Sequence, residues 1–414
     1  MISKERSQQA AHDRIMRERS EHGQRVTQME LFFDLVYVFA VTQLSHLLLD
    51  NLNVSGALHM ALLLLAVWWA WVYTAWITNW FDPNHLGIRL MLLVVMLGSL
   101  VMAAVLPDAF AARGLTFAVA YASMQIGRSL IVVLALRENR HLRRNFERIL
   151  AWSTMAGMLW IVGGLAGETY RPLIWIVAVA IDYVAPAAGF FTPGLGRSVT
   201  ADWDINGSHL AERCQLFVII ALGESIVVTG ASFGDKAFGW AVLSAFVVAF
   251  LGSVALWWLY FNRAAEDSSR IMATTNDPGR LGRAAYTYVH LPIAAGIVIC
   301  AVGDELTISH AIGHSPLAVS VVVLGGPALY LAGHAVFKWI VFERLSVPRI
   351  AAVALLVALI PLGTMLNRLE LLSLALLVVV GVGVWDWLTH RTVAATEPQS
   401  TAPAPEIAFI DQAE

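Results

Sequence analysis

Residues 29–46 read MELFFDLVYVFAVTQLSH, an almost wholly apolar stretch in which Glu30 and Asp34 stand one helical turn apart. In water such a run would bury its apolar side chains and keep its carboxylates outside. Only a hydrocarbon surrounding makes the run itself ordinary and the two acids exceptional. At 3.6 residues per turn Glu30 and Asp34 differ by about 40° around a helix, and Ser45 returns to within about 20° of Asp34. One polar stripe therefore crosses most of this segment, with Gln43 and His46 further along.

The rest of the chain decides for the membrane. Of 414 residues, 58% are hydrophobic and only 14% charged, with 15 Trp; a soluble chain of this size needs more charge to cover its surface. Apolar runs of about 20 residues recur, long enough to cross a bilayer at 1.5 Å per residue. They predict an all-α, polytopic integral membrane protein of about twelve transmembrane helices, over 30–50, 56–80, 86–106, 114–136, 145–167, 171–191, 209–230, 237–262, 283–303, 317–342, 349–366 and 370–391. Pro186 interrupts the sixth and Pro361 the eleventh.

Residues 1–29 form a basic amino-terminal segment with no cleavable leader pattern, so the first run reads as a retained span. Residues 392–414, rich in Pro and Ala, read as a disordered tail. Cys214 and Cys300 both lie in apolar runs, away from any disulfide or zinc spacing. Lys and Arg collect on one side: Lys4 to Arg25, Arg89, the cluster RENRHLRRNFER (137–148), Arg197, Arg263 to Arg283, Lys338 to Arg349, and Arg391. The other side holds Arg113, Arg171, Lys236 and Arg368. The positive-inside rule then places both termini in the cytoplasm of a multi-pass plasma (inner) membrane protein.

The two halves of the chain echo one another. DLVYVFAVTQL (34–44) resembles QLFVIIALGES (215–225), VWWAWVY (67–73) meets ALWWLYF (255–261), LGIRL (86–90) meets LGRAA (281–285), and Asp182 meets Asp386. The offset climbs from 181 to 204 along the chain, as a duplication with longer loops in its second copy would produce. This predicts two parallel six-helix repeats, 30–191 and 209–391, joined by an inner linker over 192–208.

Charged residues inside spans cost about 2.5–3.5 kcal/mol each at mid-bilayer and so mark partners or watery pathways. Glu30 reads either as a helix-start acid favoured by the macrodipole or as part of a pathway. Asp34, a turn deeper, reads as functional, and Arg128 at similar depth is its expected counter-charge. In HLAERCQLFVIIALGESIVVTG (209–230), His209, Arg213 and Glu224 fall along one stripe, Glu224 well past the midplane between Gly223 and Ser225. His209 and Glu212 have the spacing of a His-x-x-Glu metal pair, but a helix-start cap explains them equally, and neither metal nor cofactor is expected. Asp182, His290, His334 and Asp386 are further buried polar residues. Trp69, Trp76 and Trp80 form a stripe suited to an organic or cationic ligand, although an interfacial aromatic belt accounts for Trp76 and Trp80. Neither a phosphate-binding Gly loop nor a nucleophile elbow is present, and nothing points to nucleic acid.

ELFFDLVYVFAVTQLSH together with H209-x2-ER-x2-LFVIIALGES resembles the bacterial low-temperature-requirement A (LtrA) family, and the resemblance runs from Glu30 to the last span. Asp34, Glu212, Arg213 and Glu224 match its motifs by identity, while Tyr37 stands where Phe is more usual. The family implies a polytopic bacterial membrane protein and no settled activity. The residues themselves support two functions. One is a proton- or cation-coupled secondary transporter of a small solute. The other is a membrane-embedded enzyme acting on a lipid or isoprenoid-like substrate. Small-xxx-small patterns such as Gly163 to Gly167 leave the oligomeric state, a homo-oligomer included, open.

Overall fold

A computed structural model describes residues 15–17, 25–136, 139–199, 202–203, 205–262 and 264–396. Most of the basic amino-terminal segment, and the tail from residue 397 on, lie outside the described residues, whereas 392–396, read as the start of a disordered tail, continue the last helix. The described chain is all-helical, with α1 Gln28–Asp50, α2 Val54–Trp80, α3 Leu86–Ala104, α4 Gly114–Ala135, α5 Arg140–Leu165, α6 Arg171–Ala187, α7 Gly207–Gly234, α8 Trp240–Phe261, α9 Ala264–Thr274, α10 Pro278–Ser309, α11 Leu317–Phe342, α12 Val347–Gly363 and α13 Arg368–Thr396. Ten of these are long and apolar enough to span a bilayer. The exceptions among the expected twelve are α6 and α12, at 17 residues each, about 25 Å long. These are the two segments that carry Pro186 and Pro361, and each helix stops within two residues of its proline. The short, amphipathic α9 was not anticipated.

Local chemistry sets the helix starts. Thr27 and Glu30 form a reciprocal capping box at α1, and Asn53, Asn139 and Asn206 cap α2, α5 and α7 through their side chains. α10 is irregular: Gly282–Tyr288 is a π-helical turn, wider than the α-helix on either side.

The main helix neighbours follow a similar order in both halves of the chain, although α13 also packs on α10 and α11, which α6 does not match in the first half. In the first, α1 packs on α2 and α3, α3 on α4, α4 on α5, α5 on α6, and α6 returns to α2. In the second, α7 packs on α8 and α10, α10 on α11, α11 on α12, α12 on α13, and α13 returns to α8. The halves meet where α1 and α2 contact α7 and α10. We call the end of the bundle where α1 begins the near end, and the opposite one the far end.

Without a hydrophobic effect between helices in lipid, close approach needs small residues. A methyl at Gly296 of α10 would lie 2.5 Å from the Tyr330 backbone nitrogen of α11, and one at Gly326 only 2.9 Å from the Cys300 backbone nitrogen. Gly296→Ala should therefore lower stability by about 1–3 kcal/mol through overpacking. Thermal unfolding in detergent measures this, and an unchanged midpoint would show that the two helices can separate freely.

Candidate functional site

The polar residues of α1 and α7 meet at the near end, on the seam between the two halves. Arg213 donates from Nη2 to Asp34 Oδ1 at 2.7 Å, and Trp71 Nε1 of α2 donates to the same oxygen at 2.8 Å. Arg213 also sits with its Cζ 5.7 Å from the Trp71 ring centroid, and its Nη1 is 3.9 Å from Glu30 Oε1. One guanidinium thus lies between two carboxylates a helical turn apart, bonded to the deeper and within reach of the shallower. Glu30 is 0%, Asp34 1%, His209 0% and Arg213 0% exposed.

Asn79 and Glu30 hold opposite nitrogens of the His209 ring. Asn79 Oδ1 accepts the Asn206 backbone N–H at 2.7 Å, so its amide nitrogen faces the other way, donating to Asn206 O at 2.8 Å and to His209 Nδ1 at 3.2 Å. At the other side of the ring, His209 Nε2 lies 2.9 Å from both Glu30 Oε1 and Arg17 Nη1, so one ring nitrogen meets an acid and a guanidinium together. Glu30 Oε2 accepts from the Thr27 N–H and hydroxyl at 2.8 and 2.9 Å. Glu30 thus closes the capping box with one oxygen and joins the network with the other. Arg17 completes the set, with Nη1 3.4 Å from Glu30 Oε1 and donating to Thr78 O at 2.8 Å. Two guanidiniums face two carboxylates, so the charges balance without solvent. Not every polar atom is satisfied, however: among the described residues Asp34 Oδ2 and Arg213 Nε and Nη1 have no hydrogen-bond partner.

This corrects the expected Asp34–Arg128 pair. Arg128 instead donates to Ala70 O at 3.0 Å, to Thr74 Oγ1 at 2.7 Å and to Gln125 Oε1, with Tyr73 beneath it at 5.4 Å. Depth in the bilayer is shared by helices that never touch, and α1 lies against α7 rather than α4. Arg128 heads a different chain: Gln125 donates to Tyr121 OH at 3.2 Å, and Tyr121 and Trp160 donate to Asp182 Oδ2 at 2.9 and 3.3 Å. Trp69 is placed differently from its stripe-mates. It is buried and stacked on Tyr183 at 4.1 Å, whereas Trp76 and Trp80 of the same stripe border a cleft.

His209 and Glu212 do not converge. The imidazole is engaged by Glu30 and Asn79, while Glu212 accepts the Val26 backbone N–H at 3.2 Å. Glu224 stands apart from the network, 11 residues or about 16 Å along α7 from Arg213. It is 2% exposed and lies beside Thr42 of α1, whose hydroxyl donates to Val38 O at 3.1 Å, while its Oε1 has no partner among the described residues. His46 and Glu305 share its electrostatic surroundings at the far end, and Asp50 and Lys236 act on Glu305.

Several contributors were missed from sequence. Arg17 lies outside any apolar run, and Asn79 and Trp71 look like an interfacial amide and one Trp among many. Asp304, buried on α10 and accepting from Ser225 Oγ at 3.2 Å, was detectable as an acid inside an apolar run. Asp386, paired across the sequence with Asp182, instead binds Arg349 through both oxygens at 3.2 and 2.8 Å. That pair edges a cavity of about 970 Å³ within the second half, between α8, α9, α11 and α13.

A bundle of long apolar helices enclosing a charge-balanced network on the seam between its halves defines a polytopic membrane protein with a buried ionic site. The sequence profile of the bacterial low temperature requirement A protein (LtrA) matches residues 25–384, and the chain belongs to that family. It is also 34% identical over 385 residues to the "Uncharacterized protein RA0937" of Rhizobium meliloti (strain 1021), covering 92% of this chain and 93% of that one. No solved structure matches it.

Proposed function

We propose that the protein is a proton- or cation-coupled secondary transporter of a small solute in the bacterial plasma membrane. In this reading it has twelve crossings, cytoplasmic termini and two parallel six-helix repeats. The similar order of the main helix neighbours in the two halves supports the duplication, and the segregation of Lys and Arg supports the orientation. The observation that carries the functional reading is Arg213, held between Asp34 at 2.7 Å and Glu30 at 3.9 Å with two nitrogens to spare. A proton or cation reaching Asp34 would release the guanidinium toward Glu30 and loosen the α1–α7 seam. Glu224 and its neighbours stand at the other end of the same seam. The network is thus the closed near gate, and Glu224 the group that exchanges a proton on the far side.

The test is flux in liposomes under an imposed pH gradient, read with an entrapped pH dye. The wild-type protein should dissipate the gradient faster than empty vesicles. The double variant Asp34→Leu/Arg213→Met, which removes the charges together, should not. Equal rates for the two proteins would remove the network from any coupling role.

The alternative, an enzyme acting on a lipid or isoprenoid-like substrate, draws on the 970 Å³ cavity, whose edges include the half-exposed Trp258 and Trp385 beside Arg349 and Asp386. The network ranks above it because it lies between the halves, where alternating access needs a gate.

A further inference from the structure

A second cleft, of about 60 Å³, opens beside α2 on the side away from the ionic network. Its walls come from both halves of the chain: Trp76 and Trp80 of α2, Phe146 of α5, Phe190 and Trp203 from the segment between α6 and α7, and Arg283 of α10. The rings brace one another. Trp80 is 5.6 Å from Trp203 and 5.7 Å from both Trp76 and Phe146, and Phe190 is 5.8 Å from Trp203.

Two departures from regular backbone converge here. Phe190 is held at φ 50°, a left-handed conformation uncommon for a bulky residue. Arg283 and Thr287 lie on the π-helical turn of α10, a feature that recurs at functional sites. That turn is pinned by two indoles of α2: Trp68 Nε1 donates to Thr287 O at 2.7 Å and Trp76 Nε1 to Thr287 Oγ1 at 2.9 Å. Arg283 donates from Nη1 to Pro186 O at 2.8 Å, which orients the guanidinium.

We infer that this cleft binds a small planar organic anion, its ring against the exposed faces of the aromatic wall and its carboxylate on Arg283. Arg283 carries the only charge among the described lining residues, which favours an anion and disfavours the organic cation that an aromatic cage alone would suit. A guanidinium fork matches a carboxylate in two hydrogen bonds. The void of about 60 Å³ is smaller than the roughly 150 Å³ of a cavity that encloses benzene, so the ligand's ring lies partly in the open mouth of the cleft.

The inference rests on the transporter reading, because it supplies that transporter's solute. α2 links the two places. At 100° per residue Trp71 and Thr78 lie within about 20° of each other on the network side, while Trp76 and Trp80 lie about 140–180° from Trp71. A shift of α2 on ligand binding would therefore move Trp71 against Asp34.

The experiment is equilibrium binding of radiolabelled benzoate to the purified full-length protein, with benzamide and benzylammonium as competitors. Unlabelled benzoate should compete and the other two should not. Arg283→Gln should weaken binding at least about tenfold by removing a charge-assisted pair. Ile149→Trp, which fills the cleft and leaves Arg283 in place, should abolish it and carries the test if Arg283→Gln does not fold. Benzoate binding equal in wild type and in a folded variant, or competed by benzamide, would overturn the assignment. Because binding is read without flux, the two readings separate. Arg283-dependent binding in a protein that moves no protons keeps the site and removes the transporter. Proton flux without such binding removes the site alone.

Discussion

Replacing Arg213 by Met should lower the stability of the folded protein by about 3–5 kcal/mol, the largest loss expected from any single change at the seam. The guanidinium is fully buried and bonded to Asp34 at 2.7 Å, so its removal leaves a carboxylate whose other oxygen already has no partner among the described residues. Only Trp71 would still donate to Asp34. Asp34→Leu should cost a similar amount for the converse reason, stranding a cation whose next acid is Glu30 at 3.9 Å. The double variant Asp34→Leu/Arg213→Met should recover most of the loss, since a buried ion pair replaced by apolar side chains of similar volume is often neutral. Thermal or denaturant unfolding of the four proteins in one detergent closes the cycle. Additive losses, with no recovery in the double variant, would mean that the two side chains act independently and that the pair is not the unit described here.

Glu224→Gln should have the opposite signature, an intact fold with no coupled flux. Glutamine keeps the volume and one oxygen, so the contact with Thr42 of α1 survives, and the unpartnered Oε1 position gains an amide. Stability should change by less than about 1 kcal/mol. Glutamine cannot take up or release a proton, so dissipation of a pH gradient in liposomes should fall to the rate of empty vesicles. Normal flux through the folded variant would take Glu224 out of the pathway and place coupling at the Asp34 end alone.

These two variants probe the same seam at opposite ends, and their contrast follows from surroundings rather than residue type. Asp34 is tied to a cation on another helix and cannot lose its charge partner without a structural cost. Glu224 has no ion pair among the described residues, with Thr42 as a polar neighbour, and can be neutralised cheaply. A gate needs the first kind of group and a proton exchanger the second.

Helix limits were legible because hydrocarbon thickness and capping chemistry both act along the chain. The expected span 317–342 coincides with α11, and 30–50 and 56–80 fall within two residues of α1 and α2 at both ends. The α10 run was cut short at both ends in the sequence reading, because Pro278 and the wide turn after it disguise its start and Asp304 and Glu305 disguise its finish. The polar stripe of α7 was equally visible, since helical spacing alone puts His209 and Arg213 on one side.

Partners were a different matter. Arg128 and Arg213 are both arginines inside apolar helices, and no periodicity says which one faces Asp34. Arg17 comes from a stretch that reads as a polar arm, yet its guanidinium reaches Glu30. Asn79 acts only by virtue of Asn206, 127 residues away. From sequence alone come the membrane setting, the helix limits, the stripes and the family, because each depends on neighbours along the chain or on composition. Tertiary structure decided that α1 lies against α7, that Asp34 therefore pairs with Arg213, and that α2 stands between an ionic network and an aromatic cleft. The physical reason is that helix spacing sets the direction of a side chain around its own axis, whereas packing sets which other helix lies in that direction.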